Sequence, residues 1–196
     1  MCPGGEVINA SSENEKLVVN GMSYSSRSSA FSNSAIVVTC NTDDYKSENP
    51  LAGIEFQRQI EKNAFNTSGG KWKVPAQNLL DFLCGKLSNN LNLNSYKMGA
   101  VSAEIQAFFP KFITDELFNA FNNWKEDYPL FISEHGILLG AETRVSAPVK
   151  INRTEKYESV NIKNLYPIGE GSGYAGGIVS SAVDAVKAVE KSLAAI

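Results

Sequence analysis

Short apolar runs separated by polar turns open this chain. Runs at residues 6–10, 17–19 and 35–39 have the length and the β-branched content of strands. The last run, Ala-Ile-Val-Val-Thr, predicts a buried strand. Asn20-Gly21 directly follows the second run and predicts a tight hairpin turn. The N-terminal third is therefore expected to be rich in strands.

A helical spacing of apolar residues begins after residue 49. Asn49-Pro50 has the sequence of a helix start, because Asn is a good N-cap and Pro is favoured at the first helical position. Gly69-Gly70 is expected to end this helix. Further helices are predicted from Pro75, over residues 102–109, and from Thr114. The inward face of the helix capped by Thr114 is predicted to hold Ile113, Leu117, Phe121 and Trp124.

Strand patterns return in the last third, at residues 137–144, 149–152 and 165–168, and residues 157–162 lead into the last of these strands. The final strand leads into a glycine-dense segment, residues 169–177, which we call the glycine turn, and a helix opens at Gly177 or Ile178. A strand, glycine turn and helix in this order present free backbone N–H groups and a positive helix end to an anion. The helix has an apolar stripe made of Val179, Ala182, Val183, Val186, Val189 and Leu193, with Ser180, Asp184, Lys187 and Lys191 opposite.

The order of these elements predicts an α+β fold. We expect strands from the N-terminal third and the C-terminal quarter to form one mixed sheet, with the central helices packed beside or below it. The chain divides into a strand-rich segment at residues 1–48, a helical insert at 49–132, and a segment at 133–196 that ends in the strand, glycine turn and helix.

Composition narrows the range of functions. With 43% hydrophobic residues, 20% charged residues and a net charge of −3, the chain resembles an ordinary globular protein and gives no reason to expect nucleic acid or a membrane as partner. No apolar run approaches the roughly 20 residues of a membrane span and no signal peptide is visible, so we expect a cytoplasmic protein. The three cysteines are too widely spaced for a zinc site, and no metal cluster is expected.

The glycine turn contains a phosphate-binding pattern. Gly171, Gly173 and Gly176 satisfy G-x-G-x-x-G, which is weak evidence by itself. The fingerprint normally sits at the first strand–helix turn, with a second strand and an acidic residue roughly 20 residues on. Here the sequence ends with the helix, at Ile196. The segment is therefore interpreted as the last strand, turn and helix of a larger nucleotide-binding sheet.

These residues resemble a known family. The run Tyr-Pro-Ile-Gly-Glu-Gly-Ser-Gly-Tyr-Ala-Gly-Gly-Ile at 166–178 is similar to the C-terminal flavin-contacting motif of two-dinucleotide-binding flavoproteins. More closely, the chain resembles the bacterial FAD-dependent dehydrogenases known as NAD(FAD)-utilizing dehydrogenases. Further similar stretches are residues 1–7, 20–24, 33–38, 53–57 and 140–149. The resemblance covers essentially the whole chain but only the C-terminal part of the family, so we expect a fragment that lacks the N-terminal dinucleotide-binding region.

The resemblance implies a flavin site in the glycine turn. Glu170 would accept a hydrogen bond from a ribityl hydroxyl of FAD, although it could also simply cap the helix. The glycines would let the backbone approach the ligand, where their alternative role is tight packing of helix on strand. Tyr174 would lie along the ring system or else pack in the core. The implied cofactor contacts are Gly169, Glu170, Gly171, Gly173, Tyr174, Ala175, Gly176, Gly177 and Ile178.

Three charged residues are candidates for the substrate or flavin side. Arg27 lies in a serine-rich loop, which is either a flexible surface loop or one that holds an anionic group. Glu142 and Arg144 alternate on a predicted strand, so they would share a face, either as a pair toward an anionic substrate or as a solvent-exposed ion pair. No catalytic residue can be assigned, and the lone His135 is interpreted as a surface residue.

Two functions follow as hypotheses. In the first, the chain is the C-terminal piece of an FAD-dependent oxidoreductase and supplies the substrate-side region, in the helical insert, and the wall beside the flavin ring. A small-molecule substrate is implied, with a nicotinamide nucleotide as a candidate second partner. The piece alone is expected to be inactive, and FAD could be absent from it. In the second, the chain is a non-catalytic binding or assembly module derived from such an enzyme, without bound flavin.

Overall fold

The computed structural model describes residues 4–193, and within them helices and strands are mixed. The predicted class, α+β, is confirmed. The described residues fall into two compact units, the first made of residues 4–41 and 57–143 and the second of 42–56 and 144–193. The elements are β1 (Gly5–Asn9), β2 (Val19–Ser23), α1 (Ala52–Thr67), β3 (Val74–Asn78), α2 (Leu79–Leu83), β4 (Ala100–Ser102), α3 (Lys111–Asp127), β5 (Ile137–Leu139) and α4 (Ile178–Leu193).

The first unit begins with an antiparallel ribbon of β1 and β2. The predicted hairpin turn at Asn20-Gly21 is wrong, because both residues pair within β2 and Gly21 lies opposite Val7. The apolar run that precedes them enters the core: Leu17 and Val18 are 0% and 2% exposed. Burial of that run therefore fixes where β2 starts, and residues 10–18 form the connection.

A three-stranded mixed sheet lies in the same unit, with β3 in the centre, β4 parallel to it and β5 antiparallel. Its strands differ from the expected ones, since β3 and β4 come from the section predicted to be helical. The helix predicted from Pro75 is wrong because Val74 and Ala76 are fully buried in β3, and α2 follows the strand. The helix predicted at 102–109 reduces to a 3-10 turn, Ile105–Ala107, after β4.

The two long helices of the central section agree with the sequence pattern better than its strands do. Helix α1 starts near Asn49-Pro50 and is followed by Gly69 and Gly70, which both have positive φ angles. Helix α3 begins at Lys111, ahead of the predicted cap, and the Thr114 hydroxyl donates to the Lys111 carbonyl inside the helix. Its predicted inward face is confirmed by the burial of Ile113, Leu117 and Phe121.

Several predicted strands do not form. Residues 35–39 of the first unit, and 149–152 and 165–168 of the second, belong to no strand. Among the residues described, the only isolated bridge pairs Arg153 with Ser159. The strand predicted at 137–144 stops at Leu139. In the second unit, separate backbone hydrogen bonds form in place of a strand ladder. The Ile151 N–H donates to the Ser172 carbonyl at 3.1 Å, and the Ser159 N–H donates to the Leu165 carbonyl at 2.7 Å.

Helix α4 confirms the predicted C-terminal helix, but its orientation differs from the usual one. Ala188 is 3% exposed, whereas Val179, Val186 and Leu193 of the apolar stripe are 75%, 57% and 64% exposed. The helix therefore packs through its small and polar face and leaves its apolar face uncovered. No helix within residues 4–193 has the length and apolar character required to cross a membrane.

Candidate functional site

The glycine turn of the second unit is a short, internally hydrogen-bonded loop. Gly169 has a φ of 71°, and Glu170–Ser172 forms one turn of 3-10 helix. Gly173 closes it in the left-handed region with a φ of 82°, and its N–H donates to the Glu170 carbonyl at 2.8 Å. The Tyr174 N–H donates back to the Gly169 carbonyl at 3.1 Å. Positive φ at two positions explains why glycine is needed there.

The glycines of the turn differ in whether packing requires them. A Cβ on Gly173 would lie 2.5 Å from the Val149 carbonyl oxygen, so close packing against the backbone of Val149 requires a glycine here. A Cβ on Gly171 or Gly176 would meet nothing within 4 Å. Open space at these two positions is what close approach of a ligand to the backbone requires.

The amino end of α4 is open as well. The first intrahelical bond runs from the Ser181 N–H to the Gly177 carbonyl at 2.9 Å, so the N–H groups before Ser181 have no acceptor within the helix. Ile178, the first helical residue, is 92% exposed. The positive end of the helix dipole is thus accessible from outside the chain.

Glu170 lies half-exposed at the start of the turn. Its carbonyl oxygen accepts from Gly173, while no hydrogen bond or ion pair engages its carboxylate among residues 4–193. The carboxylate is therefore an available acceptor beside the open glycines and the end of α4. It does not serve as a helix cap through any bond that the described residues make.

An ion pair between Arg153 and Asp184, which the sequence did not suggest, is hydrogen-bonded to the backbone at the start of the turn. The Arg153 guanidinium donates to both carboxylate oxygens of Asp184, at 2.9 and 2.7 Å, and to the Pro167 carbonyl at 2.7 Å. Asp184 also accepts from the Gly169 N–H at 2.9 Å. The two charged side chains are only 10% and 11% exposed. Hydrogen bonds from Arg153 lower the pKa of Asp184 to about 2, and the same contact raises the pKa of Arg153.

No sequence signal pointed to this pair, because its members are 31 residues apart and neither belongs to a motif. The apolar pattern of α4 predicts that Asp184 lies on the solvent side, opposite the apolar stripe. Only the orientation of the helix brings it inward.

Tyr174 is engaged by the same cluster. Arg153 Cζ lies 3.5 Å from the centroid of the Tyr174 ring, and Lys150 Nζ lies 4.5 Å from the same centroid. The Tyr174 hydroxyl donates to the Ile151 carbonyl at 3.1 Å. These contacts correspond to the packing role among the two interpretations of this residue.

Arg27 lies in the first unit, in the loop after β2. It is exposed, with a φ of 49°, and its N–H donates to the Tyr24 carbonyl at 3.0 Å. The Tyr24 hydroxyl donates to the Glu6 carboxylate, which also pairs with Lys97 at 2.8 Å. Hydrogen bonds from Lys97 and Tyr24 lower the pKa of Glu6. The loop that carries Arg27 is therefore tied to β1 through its tyrosine.

Glu142 is half-buried, and burial raises the pKa of its carboxyl group. The expectation that it shares a strand face with Arg144 fails, because β5 ends at Leu139 and residues 140–144 are not a strand. The chain leaves the sheet where Gly140 lies against Phe108, since a Cβ there would come within 2.7 Å of the ring. The two residues also belong to different units.

The geometry of the turn is compatible with FAD. Open glycines, an unengaged carboxylate and an exposed helix end supply the backbone donors and the hydroxyl acceptor that a flavin nucleotide would use. Among residues 4–193 there is no group of three or more His, Cys, Asp or Glu side chains suited to a metal ion.

Comparison with known sequences agrees with this chemistry. Residues 1–145 match the family described as "FAD-dependent protein, C-terminal domain-like". The chain belongs to this family. The family match includes Arg27 and Glu142, whereas the glycine turn lies beyond it.

A second match, to a single related protein, extends over the glycine turn as well. An uncharacterized protein of Clostridium beijerinckii (strain ATCC 51743 / NCIMB 8052) is 44% identical over 192 residues, which is 97% of this chain. The chain spans only 36% of the length of that relative.

Proposed function

We propose that this chain is the C-terminal part of an FAD-dependent oxidoreductase of the dehydrogenase type. In this role it supplies a substrate-side region and the wall beside the flavin ring. The observation that carries the proposal is the open glycine turn in front of the exposed end of α4, in a chain of an FAD-dependent family. The rest of the cofactor site would come from the sequence that the Clostridium relative has outside the match.

Each part of the turn has a distinct task in this proposal. The flavin, when bound, supplies the hydride or electron transfer. Gly171 and Gly176 let the backbone come close to the cofactor, and the Glu170 carboxylate accepts a hydrogen bond from one of its hydroxyl groups. The N–H groups at the start of α4 stabilise negative charge placed against them. The chain thus binds and orients the cofactor.

The proposal includes a small-molecule substrate, with a nicotinamide nucleotide as a second partner, in a cytoplasmic protein. The exposed Arg27 is the candidate for an anionic substrate group, because a guanidinium matches a carboxylate in geometry. Glu142 and Arg144 are further candidates. Burial raises the pKa of the Glu142 carboxyl group.

A hybrid protein tests the proposal. In it, this chain replaces the matching 36% of the Clostridium relative. We expect the purified hybrid to show flavin absorbance or to bind added FAD in a titration, and the chain alone to bind FAD weakly or not at all. Glu170→Ala should weaken FAD retention by roughly 10-fold, the value of one charged hydrogen bond. Glu190→Ala, an exposed glutamate far along α4, is the matched control.

Two outcomes would count against the proposal. A folded hybrid that takes up no FAD would remove the cofactor assignment. A Glu170→Ala hybrid with unchanged FAD affinity would remove only the role of that carboxylate.

The uncovered apolar face of α4 favours a second candidate, a non-catalytic binding or assembly module. An exposed stripe containing Val179, Val183 and Val186 is typical of a surface that contacts another protein. The two candidates differ in flavin content. A hybrid that folds without flavin, and whose assembly with another protein is abolished by Val183→Lys and Val186→Lys, would favour the module.

A further inference from the structure

The Arg153–Asp184 pair joins three parts of the chain that shape the glycine turn. Arg153 contacts the Pro167 carbonyl on the way into the turn at 2.7 Å. Through Asp184 it reaches the Gly169 N–H inside the turn, and Asp184 itself lies in the second turn of α4. One buried guanidinium therefore connects the entry of the turn, its first glycine and the helix that leaves it.

Aromatic rings hold that guanidinium in place. Tyr174 lies 3.5 Å from Arg153 Cζ and Tyr157 lies 4.1 Å from it, both measured to the ring centroid. A bidentate pair with a carboxylate requires the planar fork of arginine, which lysine does not have. The arrangement exceeds what a surface ion pair needs, because those are flexible and contribute little.

We propose that Arg153 is the positioning residue that holds the glycine turn in the form in which it meets the flavin, an inference that rests on the proposed function. Arg153 does not touch the cofactor in this account. It acts through the Pro167 carbonyl and through Asp184, which fixes the Gly169 N–H. It also neutralises a carboxylate near the helix end where negative charge is to be bound.

The test uses the hybrid protein and its FAD affinity. Arg153→Met removes the charge and the hydrogen bonds, Arg153→Lys keeps the charge without the fork, and Lys111→Met breaks an exposed ion pair on α3 as the matched control. We expect Arg153→Met to raise the Kd for FAD by roughly 10- to 100-fold, as small displacements of positioning groups do, with Arg153→Lys intermediate. The control should leave the Kd unchanged.

Affinity must be measured well below the unfolding temperature of each variant, because a purely structural role would lower that temperature and leave the Kd of the folded protein unchanged. The shape of the visible flavin absorbance band is the second readout, since it reports the surroundings of the ring. If Arg153→Met does not fold, the double variant Arg153→Met, Asp184→Leu decides. Removing both charges together is often tolerated in folding, while the bonds to Pro167 and Gly169 are still lost.

The outcomes are distinct. Wild-type hybrid that binds FAD, with unchanged Kd and unchanged absorbance band in the Arg153 variants, would overturn this inference and leave the proposed function standing. Wild-type hybrid that folds and binds no FAD would overturn the proposed function and this inference with it. Weaker binding and an altered band in folded variants would support the positioning role.

Discussion

At the scale of single residues, the glycines of the turn separate into two kinds. Gly173→Ala should lower the free energy of unfolding by about 2 kcal/mol or more, because the new Cβ would meet Val149 and the left-handed φ is strained. Gly171→Ala should change it by less than about 0.5 kcal/mol, since nothing lies within 4 Å. Denaturant unfolding of both variants of the chain measures the difference.

The same glycines behave in the opposite order toward the ligand. In the hybrid, Gly171→Ala should weaken FAD binding, because its Cβ would occupy the space through which a ligand approaches. Equal stability losses in the two variants, or unaltered FAD binding by the Gly171 variant, would contradict the division into packing and ligand-facing glycines.

The depressed pKa of Asp184 predicts a pH dependence of stability. Its carboxyl group has a folded pKa of about 2 against an ordinary 3.8, so the fold favours the ionised form. The contribution is present above pH 3.8 and is lost as the pH falls toward 2. Asp184→Asn should therefore cost about 2 kcal/mol at neutral pH, and less as the solution is acidified through this range. Urea unfolding of wild type and variant at several pH values measures this, and a constant difference would contradict it.

Residue-scale features were predictable only where local chemistry determines them. The need for glycine at the turn follows from sequence, because positive φ and tight turns select glycine. The Arg153–Asp184 pair could not be inferred, since it depends on which side of α4 faces its unit. The prediction that Glu142 and Arg144 share a strand face is wrong, because the strand ends at Leu139 and the alternation of faces ends with it.

At the scale of elements, helices were predicted better than strands. Periodicity within a helix is local, so α1, α3 and α4 appear near their predicted positions. A strand exists only when another strand pairs with it, which sequence pattern does not guarantee. Pro75 shows how local signals mislead where pairing decides the structure. Proline often starts helices, but Pro75 lies in the central strand, where its neighbours Val74 and Ala76 are fully buried.

The apolar face of α4 gives a prediction at this scale. Val183→Lys and Val186→Lys should change the stability of the chain alone by less than about 0.5 kcal/mol, because the two valines are 45% and 57% exposed. In the hybrid, where we expect the rest of the protein to cover this face, each should cost about 2 kcal/mol or prevent folding. Thermal and denaturant unfolding of both proteins compare the two cases.

Ala188→Lys serves as the opposite control, since Ala188 is 3% exposed and its replacement should destabilise the chain alone. If the valine variants are equally harmless in chain and hybrid, then α4 remains uncovered in the longer protein.

At the scale of the whole molecule, the chain contains strand sequences without a sheet. Residues 35–39 and 165–168 belong to no strand, although their composition predicts strands. Each segment leaves apolar surface in solvent: Val37 in the first is 60% exposed, and Leu165 in the second is 43% exposed. Such segments join a sheet when a partner strand supplies a ladder of hydrogen bonds. The Clostridium relative has additional sequence that could provide that partner.

Hydrogen exchange tests this last point. Amides of residues 35–39 and of Leu165, Tyr166 and Ile168 should exchange rapidly in the chain alone and become protected in the hybrid, because pairing with a sheet removes them from water. Amides of β3, in the centre of its sheet, should be protected in both proteins and provide the internal reference. Protection of both segments would mean that the sequence pattern correctly described strands whose partners lie outside this chain. Rapid exchange in a folded, flavin-containing hybrid would mean instead that the cofactor site forms without them, and that their strand-like composition has no part in the sheet.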